Sequence, residues 1–159
     1  MVMGMEIERK FLVKGLTLSE LKPWEFSCIE QYYLSNCRGV RLRRENNRYT
    51  LTVKGEGLRE RVEVEKEITE EEYKELLNLC DRGLKKRRYR VGRWEIDLFE
   101  ESLNGLILAE IELSEKEEPL PEFPFPGAIL LEVTDNPAFL NQNLALGKIP
   151  SMDSGDGKI

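Results

Sequence analysis

The sequence predicts a mainly antiparallel β protein of the α+β class, with strands that close into a barrel and helices packed outside it. Three observations lead there. Nine segments alternate apolar and polar residues with period two, as strands with unlike faces do. Asn46-Asn47 lies between two of them as a tight turn, since Asn tolerates the positive φ that such hairpins need. That many strands in 159 residues leave unpaired edges, which closure into a barrel removes.

The first strand spans 5–13, and a short helix is expected around 19–24. Strands at 27–34, 39–45, 48–55 and 60–68 come next. Thr69-Glu70-Glu71-Glu72 then reads as a capping box, with Thr69 as N-cap and Glu72 reaching back. Tyr73, Leu76, Leu77 and Cys80 follow at helical spacing, and Gly83 supplies a left-handed stop. Strands at 84–91, 94–100 and 106–113 continue the series. The Pro- and Glu-rich stretch 115–127 reads as irregular, before a last strand at 129–134. Asn136 caps a final helix with Pro137 at its first position, Phe139, Leu140 and Leu144 on an apolar stripe, and Gly147 at its end. Residues 1–150 form one domain, and 151–159 form a flexible polar tail.

Hydrophobic residues make up 40% of the chain and charged residues 34%, the balance of a soluble globular protein with many charges to place. No apolar run approaches the roughly 20 residues that span a bilayer, and the first residues lack the regions of a secretion signal. Cys28, Cys37 and Cys80 fit no metal-binding spacing and read as idle thiols of a reducing cytoplasm. The net charge of −6 argues against general nucleic-acid binding. Yet Arg and Lys concentrate at 38–61 and 82–93, as a cationic pocket inside an acidic protein would require. The chain has no histidine. Ser-His-Asp and Cys-His nucleophiles, imidazole zinc sites and histidine acid–base chemistry are therefore excluded. What remains is carboxylates, Lys, Arg, Tyr, Thr, or a metal held by oxygen, and oxygen donors suit Mg²⁺ or Mn²⁺.

Alternation assigns the charges to faces. Glu6, Glu8 and Lys10 share one face of the first strand; Ile7, Arg9, Phe11 and Val13 share the other. Arg41 and Arg43 oppose Val40 and Leu42, and Thr50, Thr52 and Lys54 oppose Tyr49, Leu51 and Val53. Arg61, Glu63 and Glu65 oppose Val62 and Val64. Lys86 and Arg88 form a further cationic pair, Glu95 and Asp97 oppose Trp94, Ile96 and Leu98, and Glu110 and Glu112 oppose Ile111. A half-exposed sheet with its charges in water shows the same alternation. Segregation of sign by strand favours a site instead, because decorative surfaces mix signs along each strand. Alternation alone leaves open which face is inside.

The opening Glu6-Ile7-Glu8-Arg9-Lys10-Phe11-Leu12-Val13 resembles the Glu-x-Glu-x-Lys signature of the CYTH, or triphosphate tunnel metalloenzyme, superfamily, and looks closest to its bacterial tripolyphosphatases. Val40-Arg41-Leu42-Arg43, Thr52-Val53-Lys54-Gly55, Arg61-Val62-Glu63-Val64-Glu65, Lys86-Arg87-Arg88-Tyr89, Trp94-Glu95-Ile96-Asp97 and Ala109-Glu110-Ile111-Glu112 follow in the family's order. The resemblance implies an eight-stranded antiparallel tunnel with a charged interior. It further implies that Lys10, Arg41, Arg43, Lys54, Arg61, Lys86 and Arg88 hold triphosphate oxygens, and that Glu6, Glu8, Glu63, Glu65, Asp97, Glu110 and Glu112 hold divalent metal or orient its water. Glu8, Glu65, Lys86 and Glu112 are the expected catalytic set.

The activity implied is hydrolysis of the terminal anhydride of inorganic tripolyphosphate with Mg²⁺ or Mn²⁺, and weaker hydrolysis of nucleoside triphosphates. A class IV adenylate cyclase and a non-catalytic module that binds polyphosphate or RNA 5′-triphosphate are the alternatives. The expected partner is a small triphosphate, with neither a membrane nor general nucleic acid; a homodimer is the assembly left open. One departure stands out. Where bacterial relatives often carry a basic residue before Glu-Val-Thr and then an Arg-Tyr helix start, this chain has Leu131 and Asp135-Asn136-Pro137-Ala138-Phe139, which bears on closure of one tunnel end.

Overall fold

The computed structural model describes residues 2–151; of the tail expected at 151–159, residues 152–159 lie outside the described residues. Nine strands are present: β1 (Val2–Lys14), β2 (Phe26–Leu34), β3 (Cys37–Glu45), β4 (Arg48–Lys54), β5 (Glu60–Ile68), β6 (Cys80–Val91), β7 (Trp94–Phe99), β8 (Ile107–Glu112) and β9 (Ile129–Glu132). Their order is β5-β4-β3-β2-β6-β7-β8-β1, and β1 pairs back onto β5, so eight antiparallel strands close a barrel. β9 stands outside that ring. It takes the edge of β1 at Phe11–Lys14, beyond the stretch Val2–Ile7 that β5 occupies. The β3–β4 hairpin turns at Asn46, whose φ is +56°, as the tight turn requires.

The charged faces point inward and the apolar faces outward, over most of the barrel's height. Phe11 and Val13 of β1, Tyr89 and Val91 of β6, Trp94 and Ile96 of β7, and Ala109 and Ile111 of β8 form one buried cluster on the outer surface. Leu21 of α1 (Leu18–Leu21) and Phe125 of the irregular segment 115–127 cover it. The Trp94 indole donates to the Glu122 carbonyl at 3.0 Å and meets the Phe123 ring edge-on, which ties that segment down. Helix α2 (Glu70–Leu77) begins at the predicted box: Glu72 N–H donates to Thr69 Oγ1 at 3.0 Å, and Thr69 N–H to Glu72 Oε1 at 2.8 Å.

A second buried cluster fills one end of the barrel from within. Leu12, Leu84 and Leu108 lie on the same strand faces as the interior charges, and they meet Phe139, Leu144 and Ala145. Three sequence expectations are corrected here. The final helix is not continuous: a 3₁₀ turn (Pro137–Phe139), capped by Asn136 Oδ1, is separated by extended Leu140 from α3 (Asn141–Leu144). Nor does this element pack outside, because its apolar residues answer the inward leucines and plug the tunnel. Gly83 is no helix stop either. The α2 C-cap is Asn78, and Gly83 lies within β6, where a Cβ would run into the Tyr32 ring.

Candidate active site

Beyond the plug, the barrel encloses a cavity of about 270 Å³ with almost wholly charged walls. Glu6 and Glu8 enter it from β1, Arg41 and Arg43 from β3, Lys54 from β4, and Arg61, Glu63 and Glu65 from β5. Arg88 comes from β6, Glu95 from β7, and Glu110 and Glu112 from β8. Arg93 of the β6–β7 hairpin and Asn141 of α3 complete it. In the closed ring β8 and β3 are four strands apart, so the Glu110/Glu112 wall faces the Arg41/Arg43 wall. The volume lies just under the roughly 300–1,000 Å³ of drug-sized sites. It suits a compact anion.

Most interior charges compensate one another. Arg88 holds Asp97 with two parallel bonds of 2.8 and 2.9 Å, and Lys86 Nζ meets the same carboxylate at 2.8 Å. All three are buried. Although burial works against ionisation, Arg88 and Lys86 hold Asp97 well below the usual carboxylate range. Burial, with Arg88 and Arg43 beside it and against the pull of Asp97, pushes the Lys86 ammonium down to about 7. Lys10 Nζ sits 3.2 Å from Glu110, which Lys10 and Arg88 hold at about 2 against its burial. Lys54 and Arg61 meet Glu6 at 3.0 and 3.2 Å and, against its burial, keep it ionised.

Three carboxylates and two arginines are not compensated in this way. Glu8 stands opposite Glu112 in the β1–β8 register, and its nearest cation is Arg61 at 3.7 Å. Burial, with Glu110 and Glu6 nearby, pushes the Glu8 carboxyl up to about 8. Glu112 is raised by burial and by Glu6, Glu63 and Glu95. Glu65 lines the cavity with no ion pair among the described residues. On the facing wall, Arg41 Nε is buried with no hydrogen-bond partner among the described residues. Arg43 spends its fork on Gln31 Oε1, at 3.2 and 3.0 Å, a neutral partner. A buried cation left without an acceptor is costly unless a ligand supplies one.

A family model described as the CYTH domain matches residues 4–122. The chain belongs to the CYTH family. Among its relatives is an inorganic triphosphatase of Acetivibrio thermocellus, 36% identical over 149 residues, covering 89% of this chain and 94% of the relative. Another, an inorganic triphosphatase of Nitrosomonas europaea, is 32% identical and covers 89% and 97%. The crystal structure of the inorganic triphosphatase NE1496 superposes with a TM-score of 0.61 at 30% identity, covering 92% of this chain and 97% of that one. A putative adenylate cyclase from Bacillus halodurans shares the fold at a TM-score of 0.57 and 16% identity, over 74% and 84% of the two chains.

Within this CYTH barrel, the cavity gathers Glu6, Glu8, Arg41, Arg43, Lys54, Arg61, Glu63, Glu65, Arg88, Glu110 and Glu112 from the residues expected at the site. Lys10, Lys86 and Asp97 do not line it. They lie behind the wall, and Lys10 Nζ donates to the Phe139 carbonyl of the plug at 2.9 Å. Asn141, Arg93 and Gln31 escaped the sequence reading. Asn141 accepts from Lys86 Nζ at 3.3 Å and so joins that buried lysine to the cavity floor. A strand-parity signal could have found Gln31, which shares a face with Tyr33; nothing in the sequence marks Asn141, because the plug's entry into the barrel places it.

The donor set fits a hard divalent cation. Among the described residues no three carboxylates stand close enough to hold a metal ion by themselves. Mg²⁺, however, is ordinarily held by one or two carboxylates, with water and substrate phosphates filling its other positions. Glu8 and Glu112, register partners short of counter-charge, are a carboxylate pair of that kind.

Proposed function

We propose that this protein is a divalent-metal-dependent triphosphatase that hydrolyses the terminal phosphoanhydride of inorganic tripolyphosphate, with nucleoside triphosphates as weaker substrates. One observation carries the reading. A charge-lined cavity sets carboxylates short of counter-charge on β1 and β8 against two β3 guanidiniums that have no ion pair among the described residues, one with an unsatisfied Nε. Two relatives that align with most of the chain are inorganic triphosphatases, which supports it. Mg²⁺ or Mn²⁺ and a cytoplasmic location complete the proposal.

Arg41, Arg43, Lys54, Arg61 and Arg88 bind the phosphate oxygens, Arg by its fork and Lys as a point charge. They neutralise charge that builds on the equatorial and leaving oxygens. Glu8 and Glu112 hold the metal, with Glu6, Glu63 and Glu65 orienting water around it. A divalent cation held there would offset phosphate charge and would make water a better nucleophile. Lys86, held by Asp97, donates to Asn141 Oδ1 and so positions that amide at the cavity floor. We assign Lys10 and Asp97 to the support of this wall, Asp97 as a counter-ion rather than a metal ligand.

Phosphate release from tripolyphosphate is the direct test. Release should stop with excess EDTA and return with Mg²⁺ or Mn²⁺; undiminished turnover in EDTA would remove the metal from the proposal. ATP with Mn²⁺ should yield orthophosphate, whereas cyclic AMP with pyrophosphate would make the protein a cyclase.

The Glu8 carboxyl gives a pH signature. Its folded value of about 8 lies above its unfolded one, so its contribution to stability is complete at low pH and is lost as the pH rises toward 8. A cation that binds the ionised form offsets that loss. The rise in Tm produced by Mg²⁺ or Mn²⁺ should therefore be larger above pH ~8 than at pH ~6. The difference should shrink in Glu8→Gln. An equal rise at both pH values in the wild type would show that Glu8 is not a ligand.

A further inference from the structure

The outer face of the barrel carries an apolar patch that no part of the described chain covers. Met3 and Met5 of β1, Val62 of β5 and Val53 of β4 are 71, 56, 54 and 47% exposed. They are contiguous: Met5 is the register partner of Val62, while Met3 and Val53 flank Val64 from either side. Apolar residues exposed singly are ordinary, but a patch three strands wide marks an interaction surface.

The geometry points to a second copy of this chain as the occupant, packed face to face with β5 running antiparallel over β5. The outward row of β5 reads Glu60, Val62, Val64, Lys66, with opposite charges at its ends and two valines between. A two-fold axis lying across the strands at the level of Glu63 sets Glu60 over Lys66 of the second copy and Val62 over Val64. On β1 the same operation sets Met5 over Met3. The parallel arrangement would stack like charges, so the row selects its own register. Lys66 has no ion pair among the described residues, and the partner of Glu60 is an exposed lysine, Lys116, at 3.0 Å. Both are available.

The patch's extent indicates the strength. Three strands by about five residues give a footprint on the order of 250 Å², against roughly 800 Å² per partner in a standard interface. The patch is thus the apolar centre of an interface whose polar rim supplies the rest. The dimer is a reversible one. It also braces the seam where the barrel closes, because β1 and β5 carry Glu6, Glu8, Arg61, Glu63 and Glu65 on their other faces.

Mass across a wide concentration range, read by sedimentation velocity or light scattering, tests this without reference to activity. The wild type should pass from monomer to dimer. Val62→Asp, at an exposed site that leaves the fold intact by circular dichroism, should remain monomeric. Lys66→Glu should raise the dissociation constant about tenfold, as two symmetry-related charge pairs each turned into an exposed repulsion would. Glu60→Lys added to Lys66→Glu should restore it. A wild type that is monomeric throughout, or a dimer indifferent to Val62→Asp, overturns the proposal. A dimer sensitive to Val62→Asp that the double charge reversal fails to restore overturns the antiparallel arrangement.

Discussion

Asp97→Ala is expected to destabilise the fold by about 3–5 kcal/mol, because it removes the one carboxylate paired with buried Lys86 and the two-pronged partner of buried Arg88. In a domain of this size that is a fall in Tm of roughly 10 °C. Arg88 would keep Glu95 at 3.0 Å and Glu110 at 3.6 Å, the latter shared with Lys10, whereas Lys86 would be left buried with no other ion pair among the described residues. Thermal unfolding without added metal reads the effect. The measurement also decides between two roles for Asp97. A metal ligand removed from a metal-free protein relieves repulsion and leaves Tm unchanged or higher, so an unaltered Tm would return Asp97 to the metal set.

Arg41→Ala is expected to lower kcat/KM for tripolyphosphate by about a hundredfold, the value of one strong charge-assisted contact or two weaker ones. Arg41 is buried, its Nη2 is 3.2 Å from Thr52 Oγ1, and its Nε is unsatisfied. No carboxylate lies within ion-pair distance of it among the described residues, so its removal leaves no counter-charge stranded. Stability should change far less than in Asp97→Ala. Steady-state kinetics at saturating metal, paired with a melting curve, separate the two variants. Wild-type kinetics in Arg41→Ala would place the phosphates elsewhere in the cavity.

The strand pattern was legible because period-two alternation is a local property, and each segment carries it without reference to the others. Tight turns and the Thr69 capping box were legible for the same reason. Whether Glu6 and Glu110 faced inward was not, since an ordinary sheet shows the same alternation; the resemblance carried by residues 6–13 resolved that direction. Non-local packing defeated the rest. Gly83 looked like a helix stop because glycine serves both there and where an aromatic ring crowds the backbone, and only the β2–β6 register brings Tyr32 against it. The helix at 137–144 was misplaced because its stripe of Phe139 and Leu144 fits an outer surface as well as a barrel end. At the site, charge type could be read by strand. Which carboxylate is compensated depends on distances of a few tenths of an ångström between chain segments more than 40 residues apart, as between Glu6 and Lys54.

β1 pairs with β5 at Val2–Ile7, with β8 at Glu8–Leu12 and with β9 at Phe11–Lys14. The first strand is therefore the last to find all its neighbours, since Phe11 waits for Glu132. Contacts so distant in sequence require the closure of long loops before they repay it, which places such a topology among the slow folders, on the order of milliseconds to seconds. On the ribosome, Glu8 is made early yet remains without Glu112, its opposite number, until β8 has been synthesised. The acidic wall on β1 and β8 is therefore completed late, after the sequence-local β3–β4–β5 meander has been able to bring Arg41, Arg43, Lys54 and Arg61 together.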